Sequence, residues 1–97
     1  MSAPVTARLA DISGTLRARL ADLEPLVFDL HDDSAAHVGH AGAASGAGHF
    51  SLTIVSEAFG GLPRLKRHRT VMARIADLIP FPIHALSIRA FTPEEYS

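Results

Sequence analysis

Residues 49–56, His49-Phe50-Ser51-Leu52-Thr53-Ile54-Val55-Ser56, set Phe50, Leu52 and Ile54 against Ser51, Thr53 and Val55. Side chains of an extended chain alternate between two faces, so this period of two predicts a strand with one buried side. Residues 26–31 repeat the pattern, with Leu26, Phe28 and Leu30 opposed to Val27, Asp29 and His31. A third run, 83–91, places His84, Leu86, Ile88 and Ala90 on one face by parity. Between the first two strands, residues 32–48 open with Asp32-Asp33 and are otherwise, apart from Val38, alanine, glycine, serine and histidine without a core-forming pattern. So long a connection in a small domain is expected to be functional, and its composition predicts mobility.

Outside the strands the period lengthens. Leu9, Ile12, Leu16, Leu20 and Leu23 recur at steps of three and four and predict a helix over residues 4–23. Gly14 weakens its middle, and Pro25 bars Glu24 from helical geometry. After one turn over 57–59 and the Gly60-Gly61 pair, Pro63 opens a longer helix that Pro80 and Pro82 end. Its expected buried stripe is Leu65, Met72, Ile75 and Ile79, supported by Val71 and Leu78. Thr92-Pro93-Glu94-Glu95 reads as a helix cap followed by a first turn. The order is α-β-β-α-α-β, an α+β fold in which helices cover one face of a three-stranded sheet. The first two strands are expected to pair antiparallel, and the third could join in either direction.

A chain of 97 residues holds one hydrophobic core, so residues 1–97 are read as a single domain. With 47% hydrophobic and 20% charged residues it has the composition of a folded chain. Neither a signal-peptide pattern nor an apolar run of membrane-spanning length is present, which makes the cytoplasm the expected location and a membrane an unexpected partner. The absence of cysteine excludes disulfides, a thiol nucleophile and a cysteine-ligated zinc finger.

Little suggests an enzyme. No serine lies in a nucleophile elbow, no phosphate-binding glycine signature appears, and Asp32-Asp33 suits turn capping better than acid–base work. Two clusters carry other chemistry. Six histidines supply imidazole where thiols are missing: His31, His37, His40 and His49 in or beside the long loop, His68 on the long helix, and His84 at the third strand. Singly, each is an ordinary solvated or hydrogen-bonded side chain. A loop histidine converging with His84 would instead give two neutral imidazole ligands and an incomplete shell that a partner completes. The second cluster is basic. Arg64, Lys66, Arg67, Arg69 and Arg74 place five of the nine lysines and arginines within eleven residues that contain no acid. On a helix preceded by a turn they are candidates for phosphate contacts, although a net charge of −1 argues against binding through overall charge.

Taken together, several segments resemble the BolA family of small bacterial and organellar proteins. They are Asp32-Asp33-Ser34 with His37, His49-Phe50, Val55-Ser56-x-x-Phe59-x-Gly61, Arg67-His68-Arg69, Ile83-His84-Ala85-Leu86-Ser87-Ile88 and Thr92-Pro93-Glu94. The match spans about residues 5–96, with the motifs in order. The resemblance implies a fold similar to the class II KH domain and a non-enzymatic role. It further implies pairing with a monothiol glutaredoxin around a bridging [2Fe-2S] cluster, which the isolated chain is not expected to hold. Partner and bound glutathione would supply the thiolates. His84 matches the family's strand-opening ligand and His37 the loop ligand, with His40 as the alternative. The family's other theme is double-stranded DNA binding and transcriptional regulation through the basic helix, where His68 could instead tie the helix to the sheet.

Overall fold

The computed structural model describes residues 5–33 and 48–97. Its elements are α1 (Val5–Arg19), β1 (Val27–Asp32), β2 (Gly48–Val55), α2 (Arg64–Ile75), β3 (Ile83–Phe91) and α3 (Pro93–Tyr96). Short 3-10 turns at Ala21–Leu23, Glu57–Phe59 and Ala76–Leu78 join them. The fold is α+β, and the sheet order is β1-β2-β3. β1 runs antiparallel to β2, as the alternating pattern predicts; β3 runs parallel to it, settling the open direction of the third strand. A parallel neighbour needs a crossover, and α2 supplies it.

The central strand decides the layering. Phe50, Leu52 and Ile54 are buried against Ile12, Leu16, Leu20, Leu23, Phe59, Val71, Ile75 and Ile83. The α1 stripe therefore does what its spacing predicts. Its last turn tightens to 3-10 geometry, and Glu24 closes it in a left-handed conformation with φ 49°, donating its N–H to Ala21 O. Gly14 lies in the exposed middle of α1, and an added Cβ there would meet nothing within 4 Å. Gly14→Ala should therefore raise stability by about 1 kcal/mol, from the helix propensity difference. A thermal melt would show this as a midpoint gain of about 4–8 °C.

The stripe of α2 is rotated from its expected position. Val71 and Ile75 are fully buried, Arg67 is 8% exposed, and Leu65 is 60% exposed. The buried row thus runs in steps of four, Arg67–Val71–Ile75, because Arg67 has partners in the fold that Leu65 lacks. Leu26 also departs from its predicted face: it precedes β1 and is 64% exposed, while Phe28 and Leu30 pack on the core. The 56–61 segment is built on Ser56, whose hydroxyl accepts from the Ala58 N–H at 3.0 Å and donates to Leu23 O. Phe59 then drops into the core, and Gly61 reverses the chain at φ 77°, where a side chain would be strained. At the other end of α2, Arg19 chelates Asp77 at 2.6 and 2.9 Å, and Arg74 grips Asp22 at 2.6 Å, a crossed pair fastening α2 to α1. Hydrogen bonds from these arginines hold the Asp22 and Asp77 carboxyls below their ordinary range. Among the described residues no helix is long and apolar enough to cross a membrane.

Candidate metal centre and the basic helix

A register shift between β2 and β3 places the histidines. Gly48 pairs with Ile83 and His49 with Ala85, so His84 is the extra residue of a bulge. A bulge breaks strand parity and re-aims one side chain. The consequence is specific: Ile83 enters the core, while His84 is exposed rather than sharing the face of Leu86, Ile88 and Ala90. This corrects the alternation expected from sequence. His84 instead meets His49, with ring centroids 4.9 Å apart and planes inclined by 43°.

The backbone holds His49 on both sides. Its carbonyl accepts the Asp33 N–H at 2.7 Å, and the preceding Gly48 N–H donates to Pro82 O at 3.0 Å. Ser51, two residues further on, donates its hydroxyl to the Asp33 carboxylate. The end of β1, the start of β2 and the entry to β3 are thus tied together where the two imidazoles meet. The sequence singled out His84 as a ligand candidate, whereas His49 stood beside the loop and in the His49-Phe50 motif without being assigned as a ligand. The signal for it lay in strand parity, which sets His49 on the face opposite Phe50, yet parity could not show that a bulge would turn His84 toward it. His37 and His40 lie outside the described residues. His31 stands opposite Ser51 in the ladder, and its Nε2 is 3.1 Å from Asp29 Oδ2.

The basic cluster divides in two. Arg67 donates to Leu62 O at 2.8 Å, to Ala90 O at 3.1 Å, and to both Glu95 oxygens at 2.6 and 3.2 Å. It is therefore the residue that ties the helix to the sheet, the role considered for His68, which is exposed. Arg74 is engaged by Asp22 and by Thr70 O. Arg64, Lys66 and Arg69 are exposed and form no ion pair among the described residues. Of the five predicted contacts, these three remain turned to solvent, whereas Arg67 and Arg74 are occupied within the fold.

Glu95 belongs to a capping box with Thr92, accepting the Thr92 N–H at 2.8 Å while it holds Arg67. Hydrogen bonds from Arg67, and next from the Thr92 backbone, bring its carboxyl down from 4.5 to about 2. The folded chain releases this proton more readily than the unfolded chain, so the interaction contributes fully above pH 4.5 and is lost as pH falls toward 2. Denaturant titrations should show stability declining across that window, and Glu95→Gln should flatten the decline.

The profile of the BolA-like protein family matches residues 20–95. The chain is 42% identical over 79 residues to SufE-like protein 1, chloroplastic/mitochondrial, of Arabidopsis thaliana, covering 76% of this chain and 21% of that protein. It is 36% identical over 89 residues to BolA-like protein 1 of Homo sapiens, covering 91% of this chain and 63% of that protein. It thus spans less than two thirds of either relative. The DNA-binding transcriptional regulator BolA of Vibrio cholerae is 35% identical over 86 residues, 88% of this chain and 78% of that one. Among solved structures, the BolA domain of SufE1 from Arabidopsis thaliana matches with a TM-score of 0.73 and 39% identity, over 87% of this chain and 94% of that domain. The motifs, the bulged three-stranded sheet and these matches agree: the chain belongs to the BolA family.

Proposed function

We propose that this chain is a non-enzymatic adaptor that shares a bridging [2Fe-2S] cluster with a monothiol glutaredoxin, in iron–sulfur cluster trafficking or iron and redox sensing. The observation that carries the reading is the apposition of His84 and His49 at the bulge. The donor set fits such a cluster. His84 is exposed, a second imidazole touches it, and the chain contains no thiol. Among the described residues no group of three or more ligating side chains forms; in the proposed complex two imidazoles of this chain make half a shell, and the partner with its glutathione supplies the thiolates. The second ligand of this chain comes either from the segment that links β1 to β2, as His37 or its alternative His40, or from the start of β2, as His49, which already lies against His84.

When bound, a cluster ligated partly by neutral imidazole carries less negative charge than an all-thiolate one and has a higher reduction potential. The chain's own part is to present unprotonated ring nitrogens on a strand entrance that Asp33, Ser51 and Pro82 hold in place. Ligation by imidazole is lost on protonation, so affinity falls with acidity. The test is a titration of a cluster-loaded glutaredoxin homodimer with this chain. A changed visible spectrum and a one-to-one complex support the adaptor; an unchanged spectrum with separate elution refutes it.

Arg64, Lys66 and Arg69 favour a second reading, DNA-binding transcriptional regulation through α2, in keeping with the name of the Vibrio cholerae relative. Neutralising all three should reduce the slope of log affinity against log salt by about 2.7 if each contacts one phosphate. Salt dependence alone shows only phosphate contact, so a preference for one duplex sequence at physiological salt is the result this reading requires.

A further inference from the structure

A pocket of about 290 Å³ opens along the outer edge of β3, beside α2. Ile88, Ala90 and Phe91 line its apolar part, and Arg64 and His68 border it from α2 and Arg89 from β3; Arg89 also borders a depression on the open face of the sheet with Asp29, Thr53 and Ser87. Arg67 also borders the pocket, but its charge is matched by Glu95. Arg64 and Arg89 have no ion-pair partner among the described residues, so two residues with uncompensated guanidinium charges border the pocket. His68 lies four residues after Arg64, on the same side of α2. β3 pairs on one side only, and at its outer end Ala90 O is already taken by Arg67.

From this juxtaposition we propose that Arg64, His68 and Arg89 form a phosphoryl-binding pocket whose apolar part takes the organic body of a phosphate ester. A carboxylate would balance only one of the two guanidinium charges, whereas a phosphate dianion balances both and has oxygens enough for all three side chains. The site is distinct from the His84–His49 pair and does not rest on cluster binding. The phosphate could belong to a small ester or to a nucleic-acid backbone.

The experiment follows the backbone amides of the ¹⁵N-labelled chain while it is titrated separately with phenyl phosphate, inorganic phosphate and a short mixed-sequence duplex. Saturable shifts confined to residues 64–68 and 88–91 are expected with phenyl phosphate, and weaker ones with inorganic phosphate. Arg64→Gln and Arg89→Gln should each weaken phenyl phosphate binding about tenfold, the loss of one charge-assisted contact. Lys66→Gln, outside the pocket, should change it less than about twofold. All three residues are exposed, and unchanged thermal midpoints would show that the variants fold. A duplex that moves the same amides and competes with phenyl phosphate supports the pocket with nucleic acid as its source; one that leaves them unmoved supports a small ester. No saturable shift with any probe, or equal weakening in Lys66→Gln, overturns the proposal.

Discussion

Replacing His84 with alanine should abolish the change in visible absorption that this chain produces on a cluster-loaded monothiol glutaredoxin, while leaving the fold intact. The separation of the two effects follows from the bulge. Ile83 carries the packing at the entrance to β3, and His84, one residue later, is exposed and contributes no core contact. An exposed substitution of this kind shifts stability by no more than about 0.5 kcal/mol. A lost ligand cannot be replaced by the neighbouring Ala85 or Ser87, which offer no comparable donor. Single alanine variants at His37, His40 and His49 then identify the second ligand: one of the three should match the His84 variant, and the other two should retain the spectral change. A retained spectrum in His84→Ala, with a native thermal midpoint, would remove His84 from the site.

The second large effect is on stability. Arg67→Ala should cost about 2–4 kcal/mol, the range for a buried charged group that loses several hydrogen bonds at once. The guanidinium bridges three parts of the chain: the turn before α2 through Leu62 O, the end of β3 through Ala90 O, and α3 through Glu95. Truncation leaves those carbonyls without their donor and Glu95 without its cation. In a domain of this size the thermal midpoint should fall by about 10–20 °C. Arg64→Ala, on the exposed side of the same helix, should fall within about 0.5 kcal/mol of the parent. Equal behaviour of the two variants would contradict the assignment of Arg67 as the fastening between α2 and the sheet.

These two residues also mark where the sequence could be read and where it could not. The strands were legible because Phe50, Leu52 and Ile54 alternate so regularly, and α1 because Ile12, Leu16, Leu20 and Leu23 recur at helical spacing. His84 was legible as a ligand candidate through its motif, but its direction was not: alternation presumes an unbroken ladder, and the shift at Gly48/His49 breaks it. The His49–His84 contact was hidden for the same reason, since it joins residues 35 positions apart through a bulge that no local pattern announces. On α2, apolar periodicity chose Leu65 because it assigns arginine to solvent by default. Arg67 is buried instead because Glu95, Leu62 O and Ala90 O, all supplied from outside its helix, satisfy its donors. Partners distant in sequence decide such a position, and hydropathy cannot see them. The same sorting separates Arg64, Lys66 and Arg69 from Arg67 and Arg74.

The most direct measurement of the central claim is the nitrogen hyperfine spectrum of the reduced mixed complex, with ¹⁵N-histidine confined to this chain and the glutaredoxin unlabelled. The account predicts ¹⁵N couplings from two directly bound imidazoles in the parent and no directly bound ¹⁵N in a mixture with His84→Ala. A spectrum of the parent complex without directly bound ¹⁵N, or with only one such coupling, would contradict it.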